Sequence, residues 1–447
     1  MSFLDTLIEN IPEVRPPKQK RLSFKAKLKW TLITLVLFFI LGLIPLFGLG
    51  NNALEQFEFL SVILGASFGS IISLGIGPIV TGSIVLQLLN GSGIVKFDLT
   101  TQEGKQRFQG VQKLLSIGFI ILEAFIYVLM GGLSPAAGIS TGILVFQLFL
   151  GGMLILFMDE VVSKWGFGSG ISLFIAAGVS QTVFVRILNP LPSPTNPSIA
   201  TGALPALFQS LSAGDPQTAG IMLAAILATI LVFMVVVYTQ AMKVEIPLSF
   251  GRVRGHGVRW PLNFFYTSNI PVILVAALVA NVQLFGTFVE RFAGDNIISG
   301  FATWLKAPNL VQNVITGSLT WTHIGQAITY LLFFMGGSVL FSYFWTQTAG
   351  LDPRSQAKQI MASGLQIPGF RKDQRVLERL LSRYIGPLTV MGGLAVGLLA
   401  AFADLTGAYG SGTGILLTVM IVYKLYEEIA QQHMMDMNPM FRKFIGK

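Results

Sequence analysis

Apolar runs long enough to cross a bilayer recur ten times along this chain, and its positive charges fall almost entirely on alternate connections between them. A span needs about 20 apolar residues. Segments 30–49, 71–89, 111–131, 138–158, 169–188, 219–242, 264–285, 324–346, 384–403 and 412–429 meet that need. Of the 30 Lys and Arg residues, 27 lie on the side shared by the two ends; Arg186, Arg291 and Lys306 fall opposite. The positive-inside rule therefore predicts ten spans with both termini cytoplasmic. The composition agrees, with 53% apolar and 11% charged residues against a usual charged share of about a quarter. A polytopic membrane protein is expected, not a soluble one with a large core. The first apolar run is too long for a cleavable signal and no small-residue cleavage site follows it. Cysteine is absent, which removes disulfides and thiolate metal sites.

The organisation follows from the spans. Residues 1–29 form a head in which Phe3, Leu4, Leu7, Ile8 and Ile11 recur at helical spacing before a basic run at 15–29. Such a head is expected to lie in the cytoplasmic interface. The connection 189–217, rich in Pro, Ser and Gly, divides the chain into a first half at 30–188 and a second at 218–431, with a tail at 432–447. Five is odd, so the halves have opposite orientation, and inverted halves place a path at their interface. Two cytoplasmic loops exceed ordinary turns. One, 247–261, interleaves Arg252, Arg254 and Arg259 with glycine. The other, 351–383, reads as short helices over 353–363 and 373–383 around a turn at Pro368-Gly369, with Asp373 as N-cap and Arg371 and Lys372 at the tip. The positive-inside rule alone accounts for most basic loop residues. Glycine-interleaved arginines and a long projecting loop suit a second reading, a surface for phosphate.

Enzyme signatures are missing. His256, His323 and His433 are dispersed without metal-ligand spacing, and no phosphate loop or nucleophile elbow is present, so no cofactor is implied. The informative chemistry is apolar. Around Gly75-Ile76-Gly77-Pro78 a membrane helix starts late, as proline at a helix start allows, and the glycine-broken stretch before it is too polar to span. A span split into a short and a long part marks backbone lining a cavity. Ile76 and Val80 share a face of the long part; Ile171 and Ile175 repeat that spacing, Ile270 and Ile273 flank Pro271, and Ile415, Leu416 and Leu417 follow Gly414. Singly these are packing residues. Together they describe an aliphatic constriction that seals by dewetting. Glu123 stands in mid-span, either as a hydrogen-bonded structural group or as part of a path.

The chain resembles the SecY family, the alpha subunit of the Sec protein-conducting channel, in its archaeal and eukaryotic branch. The resemblance covers essentially the full length. It is carried by Leu74-Gly-Ile-Gly-Pro78, Phe108-Gln-Gly-x-Gln-Lys-Leu-Leu115, Asp159-Glu-x-Val-Ser-Lys164, Gly168-Ser-Gly-Ile171, Val244-Glu-Ile-Pro-Leu248, Ser268-Asn-Ile-Pro-Val-Ile273, Gly350-Leu-Asp-Pro353 and Gly412-Thr-Gly-x-Leu-Leu-Thr418. It implies an all-α fold of ten transmembrane helices in two inverted five-helix halves around a central pore. It implies a pore ring of Ile76, Val80, Ile171, Ile175, Ile273 and Leu417, and a plug carrying Leu54, Phe57, Phe59, Leu60, Ile63 and Leu64. Thr81, Glu123 and Asn281 correspond to polar positions of a lateral gate between the second and third spans and the seventh and eighth. Arg252, Arg254, Arg259, Arg371 and Lys372 would dock the ribosome. Small SecE-type and Sec-beta-type membrane subunits, signal sequences and nascent polypeptides are the implied partners. Many members carry a basic residue near the position of Ser67, whereas this chain has no Lys or Arg from Trp30 to Val95.

The expected function is therefore translocation of secretory polypeptides and lateral release of hydrophobic segments into lipid, in the cell membrane. The rival from another class is a secondary transporter with inverted repeats, which would hold more buried charge at mid-membrane.

Overall fold

Helices occupy all ten apolar segments. The computed structural model of the chain describes residues 10–19, 22–52, 66–91, 94–95, 97, 101–129, 131–192, 199–250, 257–267, 270–294, 297–362, 365–366 and 373–437. The membrane helices are α1 (Phe24–Leu43), α2 (Gly77–Gly91), α3 (Gln102–Leu129), α4 (Thr141–Trp165) and α5 (Gly170–Leu188). A short α6 (Ala203–Ala213) follows, within the connection expected at 189–217, and then α7 (Pro216–Gln240) and α8 (Ile270–Ala293). After α9 (Ile297–Trp304) and α10 (Leu310–Ile315) come α11 (Trp321–Thr348), α12 (Pro353–Ala362), α13 (Gln374–Leu405) and α14 (Gly412–Met437). Seven of these are long and apolar enough to span by themselves. The ones over 77–90 and 270–286 are apolar but shorter, the first because its opening residues are not helical.

By internal packing the chain divides into two compact units. One comprises residues 1–83, 111–226 and 408–447, the other 84–110 and 227–407. In the first unit α14 lies along α5, where Gly414 meets Val179 and Gly410 meets Val183. A β-pair of β1 (Leu49–Asn52) with β2 (Leu133–Pro135) closes one end of this unit.

The second unit contains a structure absent from the sequence reading. The loop over 247–261 is a hairpin, β3 (Lys243–Phe250) antiparallel to β4 (Gly257–Asn263). A third strand, β5 (Leu365–Gln366), pairs with the far end of β3 through Ser249↔Gln366 and Phe250↔Leu365. Pro247 lies in β3 before that pairing begins, where the strand has an edge and a missing N–H costs nothing. Ile246 and Leu262 of the hairpin pack with Ala357 and Ile360 of α12 and Leu377, Leu381, Ile385 and Leu388 of α13 into one buried cluster. The two basic loops thus share a small core, each large aliphatic side chain in it contributing about 1.5–3 kcal/mol of burial.

One boundary differs from expectation. Residues 373–383 are not a separate short helix but the first turns of α13, which runs unbroken through Pro387. The spacing of Leu377, Leu381, Ile385 and Leu388 carries one apolar stripe across the expected break. Asp373 does cap this helix, its carboxylate accepting the Arg375 N–H at 2.9 Å.

Candidate functional site

The split of the second span is a built feature. Residues 66–76 turn repeatedly, with Gly69 and Gly75 at positive φ, before α2 begins at Gly77-Pro78. Non-helical backbone within a membrane must find partners in protein, and here serines supply them. The Ser67 hydroxyl donates to the Gly42 carbonyl of α1 at 3.2 Å. The Ser67 carbonyl accepts from the Ser70 hydroxyl at 2.7 Å, and the Ser73 hydroxyl accepts the Gly69 N–H at 2.9 Å. Backbone bonds from Leu46 N–H to Gly69 and from Ile71 N–H to Ile44 tie the turn to the end of α1. Ser67 therefore sits in a hydroxyl-held joint.

Glycines in α4 let this joint sink in. A methyl group added at Gly151 would sit 1.8 Å from the Ile71 carbonyl oxygen, and one at Gly152 would meet Ile120 of α3 at 2.7 Å. Nothing local in the sequence around Gly151-Gly152 says which backbone arrives there.

Five of the six proposed ring residues belong to the first unit. Ile76, Val80, Ile175 and Leu417 are all at most 3% exposed, and Ile171 is half-buried. Ile76 and Val80 stand one helical turn apart, joined by the Val80 N–H to Ile76 carbonyl bond of 3.0 Å. Ile175 lies one turn from Val179, and Leu417 lies one turn from Gly414, the two points where α5 and α14 touch. The seam thus brings the α5 and α14 positions to one place. Ile273 belongs to the second unit, buried at the start of α8, where Val275 fills the notch at Gly337 of α11.

The polar gate positions divide likewise. Thr81 of α2 donates to Gly77 at 2.8 Å and lies within hydrogen-bond reach, 3.3 Å, of the Glu123 carboxylate of α3. The pairing continues along the same two helices. Gln112 donates to the Ser83 hydroxyl at 2.6 Å, and Gly82 leaves room for the Ser116 backbone. So α2 and α3 share a polar seam, and Glu123 is 7% exposed within it. Asn281 is half-buried on α8 in the second unit, near Gln283, whose amide donates to the Leu305 carbonyl at 2.7 Å.

A further, half-buried carboxylate escaped assignment. Asp159, at the end of α4, accepts the Ile171 N–H at 2.9 Å and so caps α5. The fit is tight, since a methyl group at Gly170 would fall 2.5 Å from the Asp159 Cα. The signal in sequence was Asp159-Glu160 twelve residues before Ile171, too distant for a local cap rule to find.

Of the basic residues, Arg259 of β4 is exposed and pairs with Glu245 of β3 at 2.9 Å. Arg252, Arg254, Arg371 and Lys372 lie outside the described residues, as do the plug positions Leu54, Phe57, Phe59, Leu60, Ile63 and Leu64.

With this geometry in place, comparison with known proteins is decisive. A family model described as SecY matches residues 70–426, and one described as the plug domain of Sec61p matches residues 36–69. The chain belongs to the SecY family. The junction between the two matches, at residues 69 and 70, falls within the Ser67–Ser73 joint of this SecY-family chain. It is 46% identical over 454 residues to the protein translocase subunit SecY of Methanothermobacter thermautotrophicus, covering 99% of this chain and 98% of that relative. Among solved structures it is similar to one described as a protein-conducting channel, at 42% identity with a TM-score of 0.83, covering 97% of this chain and 98% of the other. It is also similar to Sec61 in the canine ribosome-channel complex from the endoplasmic reticulum, at 41% identity and TM-score 0.80, with 97% of each chain covered. Ten membrane helices are what a SecY-family, multi-pass membrane chain requires.

Proposed function

We propose that this chain is the central subunit of a protein translocation channel, passing secretory polypeptides across the membrane and releasing hydrophobic segments sideways into lipid. The observation that carries the reading is the broken second span. A plug-matching element is joined by a hydroxyl-held turn to a half-helix whose Ile76/Val80 face is buried. Ile76, Val80, Ile171, Ile175, Ile273 and Leu417 would form an aliphatic gasket that excludes ions by dewetting and widens without breaking specific bonds. Leu54, Phe57, Phe59, Leu60, Ile63 and Leu64 would close it from outside. Thr81, Glu123 and Asn281 would form the polar contact of the lateral gate. The chain is read as a conduit rather than a catalyst, with energy supplied by partners.

Partner assignments follow the same logic. The Sec61 relative is part of a ribosome-channel complex, and here the hairpin and the 351–383 loop share one core and one sheet. A joined basic platform bearing Arg252, Arg254, Arg259, Arg371 and Lys372 suits ribosomal RNA phosphate. SecE-type and Sec-beta-type subunits would complete the complex. The bias of 27 of 30 basic residues supports cytoplasmic placement of both termini in the cell membrane, and the 189–217 connection would serve as the external hinge between the halves. Photo-crosslinkers at Ile76 and Ile273 test the reading: a stalled secretory chain is expected to label from both. Labelling from neither, in a ribosome-engaged complex, would reject it.

A further inference from the structure

Two of the sequence motifs, 108–115 and 159–164, have no part in the pore or the gate, yet their charged residues converge on the chain's own N-terminal segment. Lys113 of α3 donates to the Pro12 carbonyl at 2.7 Å and forms an ion pair with Glu160 of α4. Glu160 also accepts the Val14 N–H at 2.8 Å. Lys164 donates to the Val14 carbonyl at 2.6 Å and pairs with Glu13, while the Trp165 indole N–H donates to the Arg15 carbonyl at 3.0 Å. Four consecutive residues, 12–15, are thereby bound across the ends of two membrane helices. At residues 12, 14 and 15 these contacts use backbone groups of the segment, and Glu13 adds the one side-chain pair among them. Lys113 and Glu160 have side chains only 14% exposed, which makes their pairing stronger than that of an ordinary surface pair.

The position of the attachment matters mechanically. The mid-membrane crossing of α3 with α4 is at Ile120 and Gly152. Lys113 lies about 10 Å from that crossing along α3, and Glu123 about 4–5 Å beyond it on the other side, at about 1.5 Å per residue. A helix held at a crossing and at one end cannot pivot. Released at that end, it can, and the motion is delivered at Glu123.

We propose that residues 12–15 are a built-in strap that holds α3 to α4, and that Lys113 and Glu160 are positioning residues setting the resting place of the gate-bearing helix. The inference rests on the pore and gate reading above. The strap raises the threshold for gate movement, and whatever lifts it primes the channel.

The absence of cysteine from the chain permits a clean test in the full-length channel reconstituted with its small subunits in planar bilayers. The double variant Pro12→Cys/Lys113→Cys removes the lysine contact and supplies this chain's only two thiols. Resting ion conductance is expected to rise about fivefold or more over wild type. A bis-methanethiosulfonate linker, which forms a disulfide with each cysteine and releases methanesulfinate, should return it to the wild-type level, and reduction should raise it again, a reversibility that misfolding does not produce. Ile175→Asn serves as the independent pore arm. A double variant as tight as wild type beside a leaking Ile175→Asn channel overturns the strap, as does a leak that the linker leaves unchanged. Tight channels from both variants overturn the pore reading, and the strap with it.

Discussion

At the scale of single residues, the proposed gasket is a set of mostly buried aliphatic groups, whose value there would lie in having no polar atoms. Asparagine at Ile76, Val80 or Ile175 places an amide where dewetting is needed. Each is expected to raise resting ion conductance in planar bilayers, and unchanged conductance would remove that residue from the gasket. Gly151→Ala tests the joint instead. Its methyl group would sit 1.8 Å from a carbonyl oxygen, so a destabilisation of about 3 kcal/mol or more is expected, read as a lower unfolding midpoint in detergent. The N-terminal strap has its own pH signature. The Lys164 ammonium, donating to Glu13, holds that carboxyl below its ordinary value of 4.5. A depressed carboxylate contributes fully above its ordinary value and is lost as pH falls through the lowered one. Proteolytic sensitivity of residues 10–19 should therefore be flat from pH 7 to 5 and rise below about pH 4. Much at this scale was legible in advance. The Ile76/Val80 spacing and the glycine-proline start of α2 are local facts. The Ser67 joint and the Gly151 notch were not, because each depends on a backbone arriving from another part of the chain.

At the scale of elements, membrane helices were readable because their cause is local: length, apolarity and alternating flanking charge. The loops were not, because their order comes from pairing across long separations. The hairpin β3–β4 and the strand β5 lie in different connections; β3 does alternate, with Val244, Ile246, Leu248 and Phe250 apolar, but Pro247 inside it argues against a strand, and β5 is only two residues long. The continuous α13 differs from the short helix expected over 373–383 because the stripe of Leu377, Leu381, Ile385 and Leu388 runs on past residue 383. This arrangement yields a test. Leu365→Pro removes an N–H from β5 without altering charge. It is expected to weaken ribosome co-sedimentation about tenfold while leaving resting conductance unchanged, because the hairpin would no longer be held to the second loop. Equal co-sedimentation would show that the basic residues act without a shared platform.

At the scale of the whole molecule, the charge pattern and the channel reading meet. The same basic bias that would orient the spans would present a positive face to the ribosome. Reversing Arg252, Arg254 and Arg371 together to Glu should weaken ribosome binding about tenfold or more at low salt, with a shallower salt dependence than wild type. Matching slopes for the two proteins would exclude phosphate contacts by these residues. The family was legible from ordered motifs spread over the full length, whereas the division into compact units was not, since α14 packs with α5 across most of the sequence.

The stitching of β5 onto β3 also orders the chain in time. Residues 251–364 must be synthesised after β3 before its partner strand exists, and the cluster beneath the hairpin waits still longer for α13. A half-made copy therefore carries the arginines without the surface that arranges them. On the proposed docking role, competence to receive a ribosome would arrive late in synthesis, after eight spans are already made, so that a nascent channel would not compete with finished ones for the ribosomes that build them.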